Sequence, residues 1–254
     1  MKGALLLLPL LALGACVTTT KQGPTTDLAG AAKDNIQLGA HYLQLGDLQA
    51  AKDKLDKAEK QDPKNPDVYR IQAVLNEQLN QPKEAARYYQ KAMGLTPDSP
   101  ELINTYAVFL CKQGDVDRAL PLFEKVMADK LYSQPWVPAT NAAVCLRGQK
   151  RSADALRYFE RAVSLNPLYP DAVVYLADLQ IDQGKPQDAF KTAQTFLATG
   201  KKQPDVLLIA VRASVAQHEC GNAQLYARQL ARDYANSAQA AQIQQVLSIC
   251  ATYN

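Results

Sequence analysis

Histidine is nearly absent from this chain of 254 residues: there are two, alongside a single tryptophan and few aromatics of any kind. His41 and His218 are far apart, and no Cys-x-x-Cys spacing occurs. No Ser/His/Asp set and no glycine-rich phosphate loop can be assembled either. Hydrolytic and metal chemistry have little to work with, so the expectation is a protein without catalytic residues, metal site or cofactor. Runs of basic residues are missing too. Lys plus Arg number 28 against 25 Asp plus Glu, a balance that argues against nucleic acid as a partner. Beyond the N-terminal segment, no apolar run approaches the roughly 20 residues of a membrane span. Strand-like alternation of Val, Ile and Thr is also lacking. Ala, Leu, Gln, Lys and Asp dominate, which suits helices.

What is present begins with MKGALLLLPLLALGAC. Ala4 to Leu13 is too short to span a bilayer, and one Lys before it and small residues after it make a secretory signal peptide. Leu13-Gly14-Ala15-Cys16 resembles the lipobox of bacterial lipoproteins. The resemblance implies that residues 1–15 are removed. Cys16 would then carry a diacylglycerol on its thiol and a third acyl chain, such as palmitate, on its amine. Each buried methylene is worth roughly 0.8 kcal/mol, so several chains anchor stably. Val17 rather than Asp follows the cysteine, which in the enterobacterial sorting pattern favours the outer membrane. Residues 16–31, rich in Thr with Gly and Pro, read as a flexible tether.

The rest of the chain is periodic. Ala51, Ala85 and Ala119 are 34 residues apart, and Ala155, Ala189 and Ala223 continue the spacing after a slip of two. That is the period of the tetratricopeptide repeat, a helix-turn-helix unit. The register gives six repeats, at about 32–65, 66–99, 100–135, 136–169, 170–203 and 204–237. Counting within each, position 8 is small in the first five (Gly39, Ala73, Ala107, Ala143, Ala177) and Val211 in the sixth. Position 24 is large in four (Leu55, Tyr89, Phe123, Phe159) and weakens to Ala193 and Ala227. A small side chain where helix A crosses helix B lets the backbones close, and a large one opposite fills the gap. Gly46, Gly114 and Gly184 fall at position 15, between the two helices, and Pro63, Pro97 and Pro167 mark the exits. The fold expected is all-α: a right-handed superhelical solenoid of six tetratricopeptide repeats over 32–237, with 238–254 as one capping helix. A helical bundle without repeats does not account for six alanines in register.

If Cys16 is lipidated, four cysteines remain, and composition alone leaves three pairings open. The register narrows them. Cys111 and Cys145 both sit on helix A, of repeats three and four, which pack side by side. Cys220 lies in the turn of repeat six and Cys250 on the capping segment. The expected bridges are Cys111–Cys145 and Cys220–Cys250, against buried free thiols as the alternative. Trp136, between Pro135 and Pro138, reads as a core or junction residue.

Residues 102–114, LINTYAVFLCKQG, and 141–167, NAAVCLRGQKRSADALRYFERAVSLNP, are similar to the PilF/PilW lipoproteins of type IV pilus biogenesis, the tetratricopeptide pilotins. The specific part is Asn104, Tyr106 and Cys111 followed by Tyr132, Asn141 and Cys145. That family often has Gly where this chain has Ala107, a departure that touches packing. The resemblance implies an outer-membrane protein, lipid-anchored on the periplasmic face and monomeric. It would bind one secretin subunit of the pilus pore at a time and promote its delivery and multimerisation, with no chemistry of its own.

Helix A lines the concave face of such an array through positions 2, 5, 9, 12 and 13, which in repeat one are Lys33, Ile36, Ala40, Leu43 and Gln44. Apolar residues on a solvated face suggest a contact site. The resemblance, in which an apolar groove at the first repeat serves the secretin, assigns partner binding to Ile36, Ala40, Leu43 and Gln44, with Val74 beside them. Packing against the tether, for example Leu28, is the structural alternative. On that assignment Leu43→Glu weakens binding without unfolding the helices. Later repeats put charge in the groove: Asp67, Arg70 and Glu77, then Glu101, Asn104 and Lys112, then Asp171, Asp178 and Asp182. The three aspartates of repeat five are candidates for attracting a basic segment. The competing function is a periplasmic scaffold for outer-membrane protein assembly or cell-wall synthase regulation.

Overall fold

The computed structural model describes residues 27–250. The signal peptide, Cys16 and all but the end of the expected tether lie outside the described residues, as do residues 251–254. Among the described residues the chain is entirely helical, with fourteen helices and no strand. Twelve of them form six antiparallel hairpins. Their first members, the A helices, are α1 (Leu28–Gln44), α3 (Pro66–Gln78), α5 (Pro100–Lys112), α7 (Trp136–Gly148), α9 (Pro170–Asp182) and α11 (Pro204–Ala216). Their second members, the B helices, are α2 (Leu48–Gln61), α4 (Pro82–Leu95), α6 (Val116–Ala128), α8 (Ser152–Leu165), α10 (Pro186–Leu197) and α12 (Cys220–Asp233). Each hairpin packs on the next through its B helix. In addition α1 meets α3, α5 meets α7, α7 meets α9 and α9 meets α11, whereas no two B helices meet in this way. The A helices are therefore drawn together on the inner face of the solenoid. On the outer face long side chains reach across instead, as in Lys91–Glu59 at 3.0 Å and Arg161–Glu124 at 3.0 Å.

The helix boundaries follow from local chemistry. Proline stands at the first position of α3, α5, α9 and α11, where its missing N–H is not needed. Asp47, Asn65 and Ser99 cap α2, α3 and α5 by accepting from backbone N–H groups at 3.0, 3.0 and 3.3 Å. Asp27 does the same for α1, accepting from Gly30 at 2.9 Å. This corrects the boundary placed at residue 31, because the cap starts the helix at Leu28 and makes the end of the tether its first turn.

Every A-to-B turn is built alike. The N–H at position 16 donates to the carbonyl at position 11, from Asp47 to Tyr42, Gln81 to Asn76, Asp115 to Leu110, Arg151 to Leu146, Lys185 to Gln180 and Glu219 to Ser214, at 2.8–3.0 Å. Closing that ring forces position 15 into the left-handed region. Gly46, Gly114 and Gly184 have φ of 76°, 83° and 72°, and the other three repeats hold Asn80, Lys150 and His218 there at 56°, 60° and 63°.

The core runs along the crossings of A and B. Gly39 makes room for Leu55: a Cβ on it would stand 2.8 Å from Leu55 Cγ. The large residues Leu55, Tyr89, Phe123 and Phe159 are fully buried at position 24. In the last two repeats the bulk moves one turn along helix B. Ala193 and Ala227 at position 24 are followed three residues later by Phe196 and Leu230, both buried, where the earlier repeats have Ala58, Ala92, Val126 and Ala162. The apparent weakening of the motif is thus a relocation of volume.

Residues 238–250 cover repeat six, as two short helices rather than one. These are α13 (Ala238–Ala241) and α14 (Ile243–Ser248), separated at Gln242. Ile243 and Cys250 are buried, and Val246 and Leu247 pack with them on the apolar cluster of α11 and α12. A segment this short gains more from that contact than from helical continuity.

Two outcomes follow. Lys150→Gly should stabilise the array by about 1 kcal/mol, the left-handed penalty less the greater freedom of unfolded glycine, as read by urea unfolding. Phe196→Ala should destabilise it by about 3–5 kcal/mol in the same assay. A loss near that of an exposed-residue variant would contradict the relocation of bulk.

Candidate functional site

Of the five residues assigned to partner binding, the structure leaves only Gln44 open to solvent. Ala40 and Val74 are half-buried, and Ile36 and Leu43, at 8% and 6% exposure, belong to the core. The expectation of an exposed apolar patch at Ile36 and Leu43 is therefore corrected. Gly39 lets α1 settle closely on α2, and that approach carries its neighbours inward. Leu43→Glu would bury a carboxylate and unfold the repeat, so it cannot serve as a clean binding variant. The large apolar residues left exposed on α1 and at its C-cap are Leu28, Leu38 and Leu45.

Many charged residues of the inner face pair with one another, although Glu101 and Asp171 meet only the Ser99 and Tyr169 hydroxyls. Arg70 pairs with Asp67 at 2.9 Å. Glu77 accepts from Lys112 of the next repeat at 2.9 Å and from the Tyr89 hydroxyl at 2.6 Å. Burial, reinforced by that carboxylate, pushes the Tyr89 hydroxyl far above its usual range. In repeat five, Asp178 lies between two guanidiniums, Arg147 of α7 at 2.6 Å and Arg212 of α11 at 2.6 Å, and Arg147 also reaches Asp182 at 2.9 Å. Asp171 accepts from the Tyr169 hydroxyl at 3.0 Å. Asp178 and Asp182, two of the three aspartates expected to attract a basic segment, are thus used in a charge ladder across three consecutive A helices, while Asp171 is held by the Tyr169 hydroxyl alone. Burial works against the ionised Asp178 carboxyl, but the two arginines outweigh it and hold its pKa below the usual carboxylate value.

The four cysteines among the described residues lie in two pairs. Cys111 of α5 and Cys145 of α7 are bonded, with Cα atoms 5.7 Å apart. Cys220 and Cys250 are bonded at a Cα distance of 5.8 Å. Cys220 is the first residue of α12 rather than part of the turn before it. The first bridge opens onto the inner face, beside a cleft of about 320 Å³ lined by Val108, Lys112, Asn141 and Val144. Asn141 Nδ2 donates to Asn104 Oδ1 at 3.1 Å across the same helix pair. Trp136, half-buried, packs against the core at the start of α7. A further cleft of about 620 Å³ lies at the other end of the array, between Ile181 of α9, Arg212 and Val215 of α11, and Val246 and Ile249 of the covering segment. Its wall went unrecognised in the sequence, although Val246 and Ile249 stand three apart in a segment otherwise rich in Gln and Ala.

Among the described residues no group of three or more His, Cys, Asp or Glu side chains converges on a metal-sized site. No described helix is long and apolar enough to cross a membrane. The inner face offers shape, amides and paired charges.

Comparison with known proteins agrees with this architecture. Tetratricopeptide-repeat families match residues 36–100, 78–131 and 146–213. The type IV pilus assembly protein PilF of Pseudomonas aeruginosa is 30% identical over 239 residues, covering 93% of this chain and 95% of that protein. The crystal structure of PilW, described as a widely conserved type IV pilus biogenesis factor, superposes with a TM-score of 0.64 at 25% identity, over 84% of this chain and 98% of that one. The solved structure of Pseudomonas aeruginosa PilF gives 0.63 at 28% identity, over 86% and 98%.

The charge ladder carries its own test. A carboxylate with a lowered folded-state pKa contributes stability that is present above its unfolded pKa, about 3.9, and lost as pH falls through the folded value. Asp178→Asn should therefore lower stability by about 1–2 kcal/mol at pH 7. The difference from the wild type should shrink below about pH 4, as followed by thermal melts across pH. A gap that is constant with pH would mean that the pairing contributes nothing.

Proposed function

The chain belongs to the PilF family of tetratricopeptide-repeat proteins of type IV pilus biogenesis, and from that footing we propose that it is an outer-membrane pilotin. It binds the secretin subunit of the pilus pore, holds it at the outer membrane and promotes its multimerisation. The observation that carries the reading is the end-to-end likeness to PilF, over 95% of that protein's length, joined to a lipobox-like MKGALLLLPLLALGAC at the start of the chain. The likeness extends past the repeats, which alone are a general binding scaffold.

Physical considerations support the same reading. A pore subunit released into the periplasm has to be kept from premature assembly and brought to one membrane. A lipid on Cys16 confines the array to that membrane, and the polar tether lets the inner face search for its cargo. An array of paired charges and amides suits holding a protein segment. The groove around Ala40, Gln44 and Val74 remains part of the proposed contact. Ile36 and Leu43 support it from beneath.

Deletion of the gene should abolish heat-stable secretin multimers in outer-membrane fractions and leave monomer in the inner membrane. Cys16→Ala, still exported, should reproduce that defect while the protein keeps its helical spectrum. Multimers persisting in the outer membrane of the deletion strain would overturn the pilotin reading.

A further inference from the structure

The helices of the six hairpins run back and forth between two edges of the solenoid, and the edges differ. At one edge helix A turns into helix B, over residues 45–47, 79–81, 113–115, 149–151, 183–185 and 217–219. Leu45 and Leu79 are the exposed large apolar residues of these turns, and from repeat three onward the turns hold only Gln, Gly, Asp, Glu, Lys, Arg and His. At the other edge helix B hands over to the next helix A, and α1 begins there. Leu28 opens α1, Leu95 and Leu165 close α4 and α8, and all three are exposed. Tyr132, Tyr169 and Tyr234 stand half-buried in the turns of this edge, and Trp136 opens α7. The turn after α6 is the longest, residues 129–135 against four residues after α2, α4 and α8. It absorbs the two-residue slip of the repeat and carries Leu131, 93% exposed. The Leu131 N–H donates to Asp129 Oδ1 at 2.9 Å and the Tyr132 N–H to the Asp129 carbonyl at 3.2 Å, so an ordered turn holds the leucine out from the core.

We propose that this second edge rests on a lipid surface, with Leu28, Leu131, Tyr132, Trp136, Leu165 and Tyr169 at the level of the headgroups. The side chains select the occupant. Tyr and Trp join an apolar ring to a polar tip and settle where one end is dry and the other wet. Leucines spaced along successive turns form a row. A row suits a surface without fixed shape better than a partner protein, whose anchors gather in a central pocket. Charge does not draw the edge down. Its six turns hold four Lys and three Asp, and Asp67, Glu101, Asp171 and Asp205 follow at the second position of α3, α5, α9 and α11. Anionic lipid therefore has no hold on it, and a zwitterionic surface is the partner. The chain also enters on this edge: twelve residues, Cys16 to Asp27, precede Leu28, a reach of at most about 40 Å. The presence of a membrane rests on the lipid proposed above for Cys16, whereas the choice of edge rests on these side chains. In this orientation the A helices stand upright on the membrane and the inner face opens along it.

The test uses the mature protein as isolated from its cells, reconstituted into vesicles of phosphatidylcholine with or without bromine on the upper acyl chains. Trp136 is the single tryptophan of the chain, so its fluorescence reports this edge. In vesicle-bound protein the brominated lipid should lower that emission about twofold, as an indole at the headgroup level requires. Leu131→Asp should restore most of the emission, while Leu45→Asp at the opposite edge should change nothing. Both residues are exposed, so both variants should keep the helical spectrum. If bound protein emits equally in the two lipids, or if Leu131→Asp acts no differently from Leu45→Asp, the edge contact is refuted and the anchored reading survives. If the protein does not float with the vesicles at all, the anchor on Cys16 fails and takes the edge contact with it.

Discussion

At the crossing of helices A and B, two backbones can approach only if one of the facing side chains is nearly absent. Gly39 shows how tight the condition is, because even a Cβ there would meet Leu55 at 2.8 Å. Once the crossing closes, the large residue of helix B is sealed and one face of the hairpin becomes a flat apolar surface. A single hairpin cannot bury that surface, so it stacks on another. Solenoid, inner face and sites all descend from this step. It also explains why the last two repeats remain in the array. Phe196 and Leu230 supply, one turn later, the volume that position 24 no longer carries.

The second constraint is the turn that returns the chain from A to B. Its ring-closing hydrogen bond is kept in all six repeats. Three of them satisfy it with glycine and three strain another residue type into the left-handed region. Asparagine tolerates this conformation best, and lysine has no local compensation. The geometry is thus dictated by the hairpin, and residue choice at position 15 only sets how much strain is carried.

Much of this was legible in the sequence because it is local and repeated. Alanine spacing, the glycines of position 15 and the prolines gave the helices and their order, and the register placed Cys111 beside Cys145. What escaped was whatever depends on neighbours at a distance. Positions 5 and 12 face the groove in interior repeats, where Arg70, Glu77, Asn104 and Cys111 stay partly open. In repeat one the same positions are apolar, and Ile36 and Leu43 sink into the core. A position rule gives direction from the helix axis and says nothing of depth. Likewise Asp178 looked like a free charge until Arg147 and Arg212, 31 and 34 residues away, closed on it.

These distant pairings have a consequence for recognition. Once Glu77 holds Lys112 and the arginines hold Asp178 and Asp182, the inner face keeps little net charge to steer a ligand from afar. Selectivity then has to come from short-range features, namely shape and hydrogen bonds. One stretch that the fold pins covalently lies where the Cys111–Cys145 disulfide ties α5 to α7. Groups held in place before a ligand arrives lose little on binding. The lipid proposed for Cys16 would add the other half of the physics: it would supply local concentration without contacts, so that a site with few strong interactions could hold its cargo at the membrane and still release it when subunits join one another.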